Sequence, residues 1–258
     1  MNRIKPLYTI AILLTLAGIS SSSVMPMIGI DLQMRNKYVW RGAVFNNEPV
    51  LWPDLWINWS GITFCTWGSL DLTDTKQKQF QITDLAFYLD YTRAIGPITP
   101  TMGFVLYTYP GSAYGPSFPT TGEIYLKIGS DLKLVQGLLS INYDIIKAKG
   151  FYASPSISKG FSFGPLGANF TLALGLADGK HNAYYYGLDK FCLTDFGATL
   201  KINYIPPGNL SKYLTITGDI NFAAIVDSEL KEYIQSFTNT QNLHGGFGLS
   251  IVYSFGGE

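Results

Sequence analysis

From Ile28 onward, large apolar residues recur at every second position in short runs, with small, polar or charged residues between them. Side chains alternate between the two faces of a strand, so a run with this period predicts a β-strand with one apolar face. In the last run Phe247, Leu249, Ile251, Tyr253 and Phe255 take one face, and Gly248, Ser250, Val252 and Ser254 the other. The first run matches it, with Ile28, Ile30, Leu32 and Met34 against Gly29, Asp31, Gln33 and Arg35. A strand whose outer face is wholly apolar needs an oily surrounding. If that surrounding is lipid, every backbone group must pair with another strand, so the last strand meets the first in a closed barrel.

The phase of the first run carries on to Tyr38 and Trp40, which predicts an outward aromatic girdle there, before a polar loop from Arg41 to Glu48. Tight turns are predicted near Gly61, Pro97, Gln136, Pro165 and Pro207, with longer polar loops between them. Five turns and six loops join twelve strands, an even number that puts both termini on one side. Pro155 interrupts the run from Phe151 to Phe163, and Lys159-Gly160 reads as a bulge. The loop from Ala224 to Asn242 carries a helical turn over Ser228–Gln235. The predicted fold is all-β: a single antiparallel up-and-down transmembrane barrel of about twelve strands over residues 24–258.

Composition agrees with a chain that shows little surface to water. Charged residues make up 14% of the sequence, against roughly 25% in ordinary soluble domains. The formal net charge is zero, so no global field recruits nucleic acid. Asn2, Arg3 and Lys5 precede an apolar run from Leu7 to Ile19 and then four serines, the pattern of a secretory signal peptide over residues 1–23. No Cys follows that run, and nothing there calls for a lipid anchor.

Parity assigns the inner face. It holds ten acids, Asp31, Asp54, Asp71, Asp84, Asp90, Glu123, Asp131, Asp144, Asp195 and Asp219, against six bases, Arg35, Lys37, Arg41, Lys127, Lys133 and Lys201. Such charges are costly in a packed core and ordinary in an aqueous lumen. Two readings stand side by side: a mildly cation-preferring pore, or salt bridges that brace the wall. Trp52, Trp56, Trp67, Tyr88, Tyr107, Tyr109 and Tyr125 also point inward, opposite the small residues Ala173, Gly175, Gly248 and Ser250. That wall either stacks flat solutes or fills space. The residues placed at the selectivity-determining positions are Asp31, Arg35, Arg41, Asp54, Trp56, Trp67, Asp90, Tyr107, Glu123, Lys127 and Asp219.

Catalytic signals are weak. His181 falls in an outer loop, where it reads as solvated, and His244 near the outer rim, where a hydrolase would need a coupled nucleophile and acid at fixed spacing. Cys65 and Cys192 fall at opposite ends of the barrel, beyond the reach of a disulfide. No zinc spacing or phosphate loop is present and no cofactor is implied.

Several motifs resemble those of the TorF-type family of outer-membrane porins, also described by a Gly-Cys-Trp motif. They are Tyr38-Val39-Trp40-Arg41-Gly42 with Pro49 before the next strand, Gly61 to Ser69 with Trp67-Gly68-Ser69, and Tyr107-Thr108-Tyr109-Pro110-Gly111 with Glu123-Ile124-Tyr125. The likeness covers residues 28–130; in this chain Thr66 separates Cys65 from Trp67. It implies an exported barrel of the Gram-negative outer membrane, with lipid around it, small hydrophilic solutes inside it and the barrel-assembly machinery meeting its C-terminal strand. The rival expectation is a non-conducting barrel with a structural, adhesive or assembly role through its long outer loops.

Overall fold

The computed structural model describes residues 25–74, 79–111, 119–235 and 241–255; the expected signal peptide lies outside them. The chain runs through β1 (Met27–Arg35), the short β2 (Tyr38–Trp40) and β3 (Ala43–Asn46), then β4 (Val50–Trp59), β5 (Ile62–Asp71) and β6 (Ile82–Thr92). It continues through β7 (Ile98–Thr108), β8 (Thr121–Asp131), β9 (Gln136–Asp144), β10 (Phe151–Phe163) and β11 (Leu166–Ala177). Helix α1 (Gly179–Tyr186) leads to β12 (Cys192–Tyr204), β13 (Leu214–Ile225), helix α2 (Ser228–Gln235) and β14 (Gln241–Ser254). Twelve of these strands close into one barrel in the order of the chain, and β2 pairs only with β3.

The closing pair is β1 with β14, antiparallel, with Ile30 opposite Ile251 and Leu32 opposite Leu249. On the other side β1 pairs β4, with Asp31 opposite Asp54. The register carries the predicted parity around the wall. Ile30, Leu55, Leu89, Ile124, Ile141, Leu200, Ile220 and Leu249 stand exposed on the outside, whereas Glu123, Asp144, Asp195 and Arg35 are buried inside. Among the described residues no helix is long and apolar enough to cross a membrane. Strands do the crossing, because a closed ring satisfies every backbone group without water.

Three local expectations change. Strand β10 keeps one register with β11 through Lys159 and Gly160, with no bulge there; positions 154 and 155 drop out of the β11 pairing, where Pro155 has no N–H to give. Strand β8 ends at Asp131, and the turn to β9 spans the next four residues, so Lys133, at φ 71, sits in a turn and not on the inner wall. Lys37 likewise lies beyond the end of β1.

The larger correction concerns Tyr38 and Trp40. They are not girdle residues on the outside. Hydrogen bonds between Asn36 and Gly245 hold the end of β1 in place, and the chain then turns into the lumen as the β2–β3 hairpin. Its two central residues, Arg41 (φ 46) and Gly42 (φ 81), both take positive φ, as a two-residue type I′ turn requires. At Gly42 a Cβ would lie 2.6 Å from the Asp195 Cβ, so any larger residue is excluded twice over.

Candidate functional site

The hairpin is a plug. Tyr38 lies 5.5 Å from Trp52 and 5.8 Å from Trp67, edge-on to both, and Trp40 lies 6.4 Å from Tyr107 and 4.9 Å from Tyr185. Aromatic pairs at these separations prefer edge-to-face geometry, and the wall predicted from parity supplies the partners. The other side of the plug is α1. Asp178 caps it by accepting from the His181 N–H at 2.8 Å, and Gly187 at φ 83 ends it. Ala43 of the hairpin packs with Tyr186 of α1, Leu230 and Ile234 of α2, and Cys192 and Ile225 of the wall. The predicted helical turn over Ser228–Gln235 is α2, and its buried face is the one that touches this cluster.

Arg41 is the latch. Its guanidinium donates to both oxygens of Glu123 at 2.8 Å, and the Tyr107 hydroxyl donates to the same carboxylate at 3.3 Å. The cation lies 4.1 Å from the Trp40 ring centroid and 4.2 Å from that of Tyr152. Tyr186 donates to the Arg41 carbonyl at 2.7 Å, tying α1 to the hairpin turn. Burial works against the charge on Arg41, yet Glu123 more than offsets it and holds its pKa above the ordinary value. His181 Nε2 stands 2.8 Å from the same guanidinium. Burial first, and then the charge of Arg41, push its pKa well below that of free imidazole, so it is neutral. His181 is fully buried and is therefore not the solvated loop residue expected.

The remaining predicted positions lie on strands of the barrel wall. Arg35 donates to both oxygens of Asp219 at 2.7 Å and lies 4.9 Å over Trp52. Asp31 accepts from the Trp56 indole at 3.0 Å, Asp54 from the Cys65 thiol at 3.0 Å, and Asp90 from the Tyr125 hydroxyl at 2.8 Å. Lys127 rests 4.8 Å over the Tyr125 ring. Trp67 packs with Trp52 and against the cluster of Ala86, Val105 and Tyr125. The predicted set thus divides into a latch, a collar at Arg35 and Asp219, and an acidic wall. Gly29 makes room for that wall: a Cβ there would lie 2.2 Å from the Trp56 ring.

Beside the plug, space remains along the wall of small residues. One cavity, of ≈ 340 Å³, is bordered by Asp31, Gln33, Lys201, Thr217 and Ser250. A second, of ≈ 210 Å³, lies against Arg41, Tyr152, Asp195, Asn221 and His244. His244 lies near the outer end of β14, as expected from the sequence, and is an inward residue only 9% exposed. Both cysteines are free thiols. Tyr152, Tyr186 and His181 were not singled out as functional from the sequence; the signal that could have found α1 is Asp178 ahead of it and Gly187 after it, a cap at each end.

A solved NanC porin superposes on this chain with a TM-score of 0.56 at 11% identity, covering 86% of this chain and 98% of that one. The fold is that of a porin. KdgM porin aligns over 89% of this chain and 99% of its own, with a TM-score of 0.48 and 12% identity. Comparison with protein-family models gave no match, and neither did comparison with curated proteins. A closed porin-fold barrel with a largely apolar outer face resides in the bacterial outer membrane.

Proposed function

We propose that the barrel passes small hydrophilic solutes passively across the outer membrane, along the polar wall that the plug leaves uncovered. The observation that carries this reading is the pair of polar cavities along β12, β13 and β14. The charges support a mild cation preference. Arg35 is matched by Asp219 and Arg41 by Glu123. Without those pairs, Asp31, Asp54, Asp90 and Asp195 stand on the inner face against Lys127 and Lys201. Asp31, Arg35, Arg41, Asp54, Trp56, Trp67, Asp90, Tyr107, Glu123, Lys127 and Asp219 would set selectivity, some through the plug and some directly. We read the chain as a transport protein and not an enzyme.

The Tyr38–Gly42 motif that resembles the TorF-type family forms the plug turn, which gives that motif a physical reason. Export by the signal peptide, and assembly through the aromatic C-terminal strand, complete the reading. The deciding experiment is single-channel conductance of the chain refolded from about Val24 into planar bilayers under a salt gradient. Steady conductance with cation preference supports it, and anion preference refutes the charge assignment. A folded but silent barrel would overturn conduction. It would favour the second reading, a non-conducting barrel acting through its outer loops, for which the plug is the specific observation.

A further inference from the structure

We infer that the cavity between the plug turn and β12 is a binding subsite for a small solute carrying an ammonium group. Its floor is made of small residues and its rim of acceptors. Gly197 faces in, and a Cβ built on it meets nothing within 4 Å. Asp195 is 7% exposed, and both its oxygens share one donor, the Tyr152 hydroxyl at 3.1 and 3.2 Å. Among the described residues Asp195 forms no ion pair, and the neighbouring Arg41 is engaged by Glu123. A buried carboxylate with one donor has lone pairs to spare, and burying a charge without a partner is costly.

Two other polar groups on the cavity are also spent as donors. The Thr199 hydroxyl donates to Asn221 Oδ1 at 2.7 Å, and the Asn221 amide donates to Asp219. His244, opposite Asn221 in the register, has an Nδ1 with no hydrogen-bond partner. The cavity is therefore rich in acceptors and carries the Asp195 carboxylate, while the Arg41 guanidinium on its border is engaged by Glu123. A ligand that fits must bring donors and a positive charge. The volume, ≈ 210 Å³, equals about seven waters at their liquid share of roughly 30 Å³ each. An amino sugar or similar small amine suits it better than an anion, which would meet Asp195.

This subsite rests on the reading that the lumen admits solutes, but its test does not depend on conduction. Glucosamine hydrochloride, at a pH where its amine is protonated, and glucose would be titrated calorimetrically into the refolded full barrel in detergent. Glucosamine is expected to bind at least about tenfold tighter than glucose, from the charge-assisted bond to Asp195. Asp195→Asn, which keeps the shape and the bond to Tyr152, is expected to remove that preference. Gly197→Leu, which projects into open space, is expected to abolish binding of glucosamine while the heat-modifiable mobility of the folded barrel is kept. Equal binding of the two sugars, absence of glucosamine binding to the wild-type barrel, or unchanged affinity in Gly197→Leu would each overturn the proposal. A silent barrel that binds glucosamine would sink only the conduction reading; a conducting barrel that does not bind it would sink only the subsite.

Discussion

Replacing Glu123 with Gln tests whether the plug is held by charge. Glu123 is 1% exposed and its Arg41 partner 8%, so the pair is shielded from solvent and salt. Gln keeps the volume and one acceptor but removes the countercharge, leaving a buried guanidinium uncompensated. Breaking a buried pair in this way costs about 3–5 kcal/mol. The hairpin can escape the cost by swinging its turn toward water, which shifts the equilibrium between seated and released plug by about 150- to 4,000-fold. Planar-bilayer recordings are expected to show higher and noisier conductance, and acrylamide is expected to quench Trp40 more strongly. The apolar double variant Arg41→Met with Glu123→Leu is expected to reseat the plug, because a buried pair exchanged for matched apolar groups is close to neutral. Unchanged conductance and quenching in Glu123→Gln would refute the latch. A double variant as open as the single one would show that shape and not charge holds the turn.

Acid should act on the same latch. His181 is held neutral, with its pKa well below that of free imidazole, so its contribution to seating the plug is complete above about pH 6.5. That contribution is lost as pH falls below that point and through the depressed folded value. Conductance is expected to rise on acidification on the loop side, and His181→Phe to flatten the profile; an unaltered profile in that variant would exclude His181. Leu249→Arg, on the outer face, is expected to cost up to about 2–4 kcal/mol in urea titrations in lipid, whereas Ser250→Arg, on the lumen face, should cost little and lower conductance. Equal costs would contradict the register of β14. Gly29→Ala is expected to displace the Trp56 indole and its bond to Asp31, at about 1–3 kcal/mol, seen as lower unfolding stability and a shifted tryptophan emission. An unshifted spectrum would contradict the close packing at Gly29.

The barrel was legible because parity is a local property. Asp31, Asp54, Asp90, Glu123 and Asp219 each follow from counting in twos along a strand, and pairing of β1 with β14 follows from the need to leave no edge. The plug was not legible, for a reason that parity itself explains. Tyr38 and Trp40 continue the outward phase of Met34 without a break, and an aromatic residue suits a lipid interface as well as a packed lumen. Nothing local separates those two oily surroundings. The contacts that decide between them are remote: Arg41 meets Glu123 across 82 positions and His181 across 140. Position Lys133 failed for a smaller reason, since alternation ran on through a turn whose backbone reverses at positive φ.

The inner wall is asymmetric, and that asymmetry organises both the plug and the space beside it. Strands β4 to β8 carry Trp52, Trp56, Trp67, Tyr88, Tyr107 and Tyr125, whereas β11 to β14 carry Ala173, Gly175, Gly197, Ala223, Gly248 and Ser250 on the same face. A hairpin ending in Tyr38, Trp40 and Arg41 meets the rings of Trp52 and Tyr107 and the Glu123 carboxylate on the bulky side, so it leans there. The small side is then left open by default. Because Arg41 takes Glu123 on the bulky side, Asp195 on the open side forms no ion pair among the described residues. The segment that narrows the lumen therefore also determines which charge faces the space left beside it.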